Sequence, residues 1–181
     1  MKEWQKQNFD LLVECIKNEF NVLYKRLTKK GKTVYAVTII TDYDGLTAYF
    51  MASTLESLKK KHKDSKWVPY CWMIRNDDGD VKLGLNEFVD KHLDYYDEYI
   101  VPRFADGNYD YSHDFNDNIE MFTLAMKAAK AKLHEQWGEI MTEIIFLVSI
   151  SGEDDMTLTS AKKINGASKN LSKLIKFFDA F

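Results

Sequence analysis

Phe9, Leu12, Ile16, Phe20, Leu23 and Leu27 recur at steps of three and four, the spacing that aligns one apolar face of an α-helix. The run "KKGK" then brings bases and a glycine to close it. After that the pattern changes period. "TVYAVTII" and "LTAYFMA" are rich in β-branched and aromatic residues with "DYDG" between them, so the spacing predicts a β-hairpin with an Asp-Gly turn. Ser53 stands three residues before Glu56, a capping-box spacing that starts a short helix. "WVPYCWMI" reads as a third strand, with Pro69 placing it at an edge or an irregular entry, and "RNDDGD" reads as a second Asp-Gly turn.

Residues 84–99 follow as a helix with Leu85, Phe88, His92, Tyr95 and Tyr99 on one side and Glu87, Asp90, Asp94 and Asp97 on the other. From 101 to 116 the chain is polar and aromatic without a period, and reads as a long loop of the kind that often carries function. Asp117 is placed to cap a long helix that buries Ile119, Phe122, Met126, Ala129 and Leu133. "EIIFLVSI" is the most apolar strand and is expected at the centre of the sheet. Helical patterns over about 157–164 and 168–180 complete the chain. The expectation is a single α+β domain over residues 1–181, with an N-terminal β-hairpin and a central mixed or antiparallel sheet of about four to five strands flanked by several helices.

Composition supports a globular chain able to bury a full core: 181 residues, 45% hydrophobic and 14% aromatic. No apolar run has the roughly 18–20 residues that span a bilayer, and the start "MKEWQKQNFDLL" is too polar for a signal peptide, so a cytoplasmic location and no membrane association are expected. Cys15 and Cys71 lie far apart outside any Cys-x-x-Cys spacing and read as buried thiols.

Charge changes the picture. Residues 76–117 hold twelve acids and three bases, a local balance of −9, so the rest of a chain with net charge −3 carries +6. Such asymmetry repels nucleic acid and attracts basic partners. The lysine runs "KRLTKKGK" and "LKKKHKDSK" read as solvated helix ends rather than a phosphate track.

Motifs for catalysis are sparse. His62, His92, His113 and His134 show no ligand spacing, and "SISGEDD" lacks both the Gly-x-Ser-x-Gly elbow and a phosphate loop. "DYDG" does not match a calcium loop, because Met51 stands where the bidentate glutamate would be. No cofactor and no catalytic residue is assigned. A rival of another class stays open: a small metal-dependent hydrolase using Asp42, Asp44, Glu153, Asp154 and Asp155 at neighbouring strand ends.

The ordered segments "VYAVTIITDYDGLTAYFMASTLESL", "KWVPYCW", "EQWGEI" and "EIIFLVSISGEDD…SAKKIN" resemble a bacterial family catalogued only as a domain of unknown function, number four-three-zero-three, over about residues 5–178. The family usually has asparagine where this chain has Ser53, and glutamate where it has Cys71. Its members occur among candidate immunity proteins, so the resemblance implies an inhibitor of a bacterial toxin. Joined to the charge pattern, this suggests a non-enzymatic protein whose acids and aromatics dock on a basic toxin domain, plausibly a nuclease, without touching nucleic acid itself. The expected partner-binding residues are Asp77, Asp78, Asp80, Glu87, Asp90, Asp94, Tyr96, Asp97, Glu98, Asp106, Tyr109, Asp110, Tyr111 and Asp114, with Phe115 as a further apolar anchor. The bland alternative is a solvated acidic loop over packed tyrosines.

Overall fold

The apolar stripe of the first helix is long enough to hold the whole molecule together. It folds as α1, Glu3–Lys29, and buries Leu12, Ile16, Phe20, Leu23 and Leu27 along one side. A computed structural model describes residues 1–58, 66–77, 79–150 and 152–180. Within them the chain is α+β, with seven α-helices and a three-stranded mixed sheet of order β2-β1-β3. Among the described residues no helix is long and apolar enough to cross a membrane.

Strand β1, Val34–Thr41, pairs antiparallel with β2, Tyr49–Thr54, and parallel with β3, Ile145–Ile150. The connection between β1 and β2 is longer than a tight Asp-Gly turn. Gly45, at φ +67°, closes a turn by donating its N–H to Asp42 O. The Asp42 carboxylate then accepts from Leu46 N–H and from the Thr47 hydroxyl, so these residues wind around it instead of extending as strand. Helix α2, Leu55–Leu58, is capped one residue later than expected: Ser57 N–H donates to Thr54 Oγ1, while Glu56 accepts from Thr33 N–H.

The expected third strand at 67–74 is not one. Pro69 has no N–H to give, residues Pro69–Cys71 turn as a 3₁₀ helix, and among the described residues only a single bridge, Ile74 with Ala52, extends the sheet. The apolar residues of this segment serve as a plug. Trp67 and Trp72 meet the Tyr35 ring edge-on at 5.3 and 6.2 Å.

Helix α3, Leu85–Tyr95, leads through a π-helical turn, Tyr96–Ile100, into a 3₁₀ turn, Val101–Asp106. Helix α4, Ser112–Trp137, starts before Asp117, which sits inside it and pairs with the Met1 amino group. The short α5, Ile140–Glu143, precedes β3, and α6, Asp154–Ile164, and α7, Lys169–Phe178, end the chain. The sheet is buried on both faces. Val37, Ile39, Phe146 and Val148 join the core under α1, α3 and α4, while Tyr35, Ile145 and Leu147 join a second cluster with Ala161, Leu171 and Leu174.

Contrary to expectation, the most apolar strand, β3, lies at an edge. Its outward-facing backbone is closed by side chains. Phe146 N–H donates to Asn165 Oδ1 and Phe146 O accepts from Asn165 Nδ2; Val148 N–H and O bond the Ser160 hydroxyl in the same way. Lys130 Nζ donates to Ile144 O and Asn165 Oδ1, and burial pushes its ammonium down to about 8. Removing such a partner leaves buried backbone groups unsatisfied, so Asn165→Ala should lose about 2–4 kcal/mol and Ser160→Ala about 1–2 kcal/mol in urea unfolding. Midpoints equal to the parent's in both variants would mean that the edge is closed by something else.

Candidate functional site

Three polar residues on α1 hold the segment that leads into α3. Asn18 Nδ2 donates to Leu83 O at 3.0 Å, Arg26 donates to Arg75 O and pairs with Asp80 at 3.2 Å, and Glu19 reaches both sides. Glu19 Oε1 accepts from Leu85 N–H at 3.1 Å, and Oε2 accepts from Asn76 Nδ2 at 2.7 Å. Helix α3 has no cap of its own at Gly84, so this carboxylate from another helix is its cap and sits against its positive dipole end. The approach is close. A Cβ on Gly84 would lie 2.8 Å from Glu19 Oε1, and Leu83 just before it takes a left-handed φ of +55°.

These contacts shape a cleft of about 190 Å³ lined by Glu19, Tyr49, Arg75, Asn76, Asp77, Glu87 and Asp90, among others. Asp77, Glu87 and Asp90 come to it from the predicted acidic stretch; Asp94, Asp97 and Glu98 continue the negative surface along α3 and its π turn. All six are exposed, and among the described residues none is within ion-pair distance of a lysine or arginine. The negative field reaches the core. Burial, with Glu87 and Glu19 adding, pushes the Cys15 thiol up to about 12, so it is an inert packing residue.

Other predicted acids have internal duties. Asp80 is paired with Arg26, and Asp110 accepts from Ser112 N–H at the start of α4. Asp114 is 6% exposed, paired with Lys2 and bonded by the Tyr109 hydroxyl, so it is not available to a partner. Asp106 ends the 3₁₀ turn, and Asp78 lies outside the described residues, as does His62.

The aromatic anchors are also redistributed. Tyr96, Phe104, Tyr109 and Tyr111 pack on one another at 5.4–6.4 Å, with Arg103 over the Tyr109 ring. Tyr111 donates to Asp44 O, and Phe115 fills the space beneath Gly45, so both brace the 42–48 loop. The rings left facing solvent near the acids are Tyr49, Tyr99 and Phe104.

The rival carboxylates do share one end of the sheet, since a Cβ on Gly152 would lie 3.3 Å from the Tyr43 hydroxyl. Asp42 is engaged by its own loop, and among the described residues no three His, Cys, Asp or Glu side chains form a group that could hold a metal ion.

Glu19, Asn76 and Tyr49 were missed by sequence reading. Glu19 had a signal: it stands three residues after Ile16 and four before Leu23, an acid within the apolar stripe of α1. Asn76 and Tyr49 had none, because only the packing of distant segments brings them to the cleft.

Beneath the acidic surface, His92 is 2% exposed and stacks on Trp4 at 5.2 Å, and its Nδ1 has no partner among the described residues. Burial pushes the imidazole from 6.5 down to about 4, outweighing the pull of Asn118, the Leu46 backbone and Asp42. The unfolded chain takes up this proton near pH 6.5 and the folded chain only near pH 4, so stability present above 6.5 is lost as pH falls through that window. The loss should reach about 3 kcal/mol, and His92→Gln should flatten it. Equal acid sensitivity in the variant, measured by urea unfolding across the window, would assign it to other groups. Separately, Glu19→Ala strips the cap from α3 and one of the two acceptors from the Asn76 amide, leaving it only Glu19 O, and should cost about 1–3 kcal/mol in the same assay. An unchanged midpoint would show that water replaces the carboxylate without loss.

Comparison with family models, with curated proteins and with solved structures returns no match, so the chemistry of the cleft and the acidic surface carries the functional reading.

Proposed function

We propose that the protein is an immunity-type inhibitor that binds and neutralises a bacterial toxin domain, a nuclease whose basic active-site surface docks on α3 and the cleft at its start. One observation carries the binding mode: Asp77, Glu87, Asp90, Asp94, Asp97 and Glu98 are exposed together and, among the described residues, unpaired. Like charges at helical spacings of three and four residues repel by roughly 0.2–0.5 kcal/mol per pair, and a basic partner relieves that repulsion on docking. In a protein whose remaining surface is net positive, this face also steers the encounter and speeds capture. The acids then stand where the phosphates of a nucleic acid would lie, and the exposed rings of Tyr99 and Phe104 supply apolar contact among the charges. Binding of this kind requires no cofactor. That the partner is a toxin comes from the family resemblance of the ordered segments; that it is a nuclease comes from the acidic surface, and the place of action is the cytoplasm, where such a nuclease meets its substrate.

The test is direct binding to the nuclease-like C-terminal domain of a toxin encoded next to this gene. Replacing Asp90, Asp94 and Asp97 together by Asn should leave the free protein as stable or slightly more so. It should also slow association about tenfold at low salt and flatten the salt dependence. If the triple variant associates like the parent at every salt concentration, the docking surface lies elsewhere. If the parent neither binds nor protects against such a domain, the immunity reading fails.

A further inference from the structure

The cleft at the start of α3 differs from the rest of the acidic surface in having a fixed floor. Glu19 is held there by Leu85 N–H and Asn76 Nδ2, and each of its oxygens keeps a further acceptor position. Asn76 is 8% exposed, and its amide nitrogen is taken by Glu19 O and Oε2, while its Oδ1 has no donor among the described residues. A buried amide oxygen without a donor is costly, and here it belongs to a residue lining an open, negatively charged cleft. Asp77, Glu87 and Asp90 stand exposed around it. Arg75 also lines the cleft, yet it forms no ion pair with these carboxylates among the described residues.

We propose that this cleft is a guanidinium pocket, which takes one arginine side chain from the surface of the docked protein. The proposal rests on the reading of this face as a protein-docking surface and names the chemistry at its centre. Size is the first argument: about 190 Å³ is below the roughly 300–1,000 Å³ of small-molecule sites, and suits the end of a single side chain. Charge is the second, since among the described residues four carboxylates line the cleft with one arginine, Arg75, which forms no ion pair with them. Donor count is the third. The acceptors come from α1, from 76–77 and from α3, and a guanidinium offers five N–H donors in a planar fork where an ammonium offers three about a point. No three of the described carboxylates are grouped to hold a metal ion, which again favours an extended cation. Tyr49, 47% exposed at the rim, adds a ring face on which a guanidinium can stack.

The experiment is an NMR titration of the intact protein with N-acetyl-arginine amide, followed at the Asn76 side-chain amide and the Leu85 backbone amide. Saturable shifts are expected at both, with none for the uncharged citrulline analogue and about tenfold weaker binding for the lysine analogue. Glu87→Gln should weaken the arginine probe about tenfold, while Glu135→Gln, on α4 and outside the lining of the cleft, should leave it unchanged. Non-saturating shifts scattered over all acids, equal response to citrulline, or an unchanged Glu87→Gln variant overturn the pocket. Tighter binding of free L-arginine than of the blocked amide also overturns it, since the cleft would then be a metabolite site. The two proposals fail separately. If the toxin domain loses affinity on the Asp90, Asp94 and Asp97 change but not on Glu87→Gln, the face stands and the pocket falls. If the arginine probe binds as described and no toxin domain does, the pocket stands and the toxin reading falls.

Discussion

The fold depends on closing one edge of a sheet that is too small to close itself. Among the described residues three strands give β1 a neighbour on each side, but β3 has only β1, and its other edge would face a packed interior with bare N–H and C=O groups. Asn165 and Ser160 supply the missing strand with side chains, each bonding both the donor and the acceptor of one residue. Because α6 carries Ser160 and Asn165 follows it directly, satisfying the edge also sets where that helix lies against the sheet. The second core cluster, with Ala161, Leu171 and Leu174, follows from that placement.

On the opposite side of the sheet α1 plays two roles with two faces. Its apolar stripe fills the main core, and its polar residues Asn18, Glu19 and Arg26 hold the 75–85 segment and cap α3. The acidic surface is therefore mounted on the longest helix rather than left on a free loop. Site and stability are coupled through Glu19, which organises the cleft and completes the helix that displays the acids. Gly84 and the left-handed Leu83 are the local concessions to that close approach.

Acids that look alike in a charge count divide by partner. Asp114, itself nearly buried, pairs with Lys2, Asp117 meets the amino terminus, Asp42 winds its loop and Asp80 tethers to Arg26. These are matched locally and contribute to the fold. Those along α3 are left unmatched among the described residues, and the unmatched set gives the surface its sign. Beneath them the stacked rings of Trp4, His92 and Tyr95 give α3 a stiff apolar support, and Tyr99 carries the stack out to the surface.

The sequence alone determined the features that arise from local periodicity. The stripe of α1, the apolar faces of α3 and α4, the strand character of β1 and β3 and the outward acids at 87, 90, 94 and 97 are all readable from spacing, because neighbours on one face recur at fixed steps. Tertiary structure decided what depends on distant partners. "WVPYCWMI" has strand composition, but Pro69 and the demand for Trp67 and Trp72 over Tyr35 made it a plug. "EIIFLVSI" has the composition of a central strand, and lies at an edge because side chains more than ten residues later replace a fourth strand. Asp114 and Tyr111 share the composition of the acidic loop yet turn inward, since Lys2 and Asp44 O, both far away in sequence, wait there. Glu19, Asn76 and Glu87 meet in one cleft only because packing joins three segments, and no local period encodes a contact of that kind.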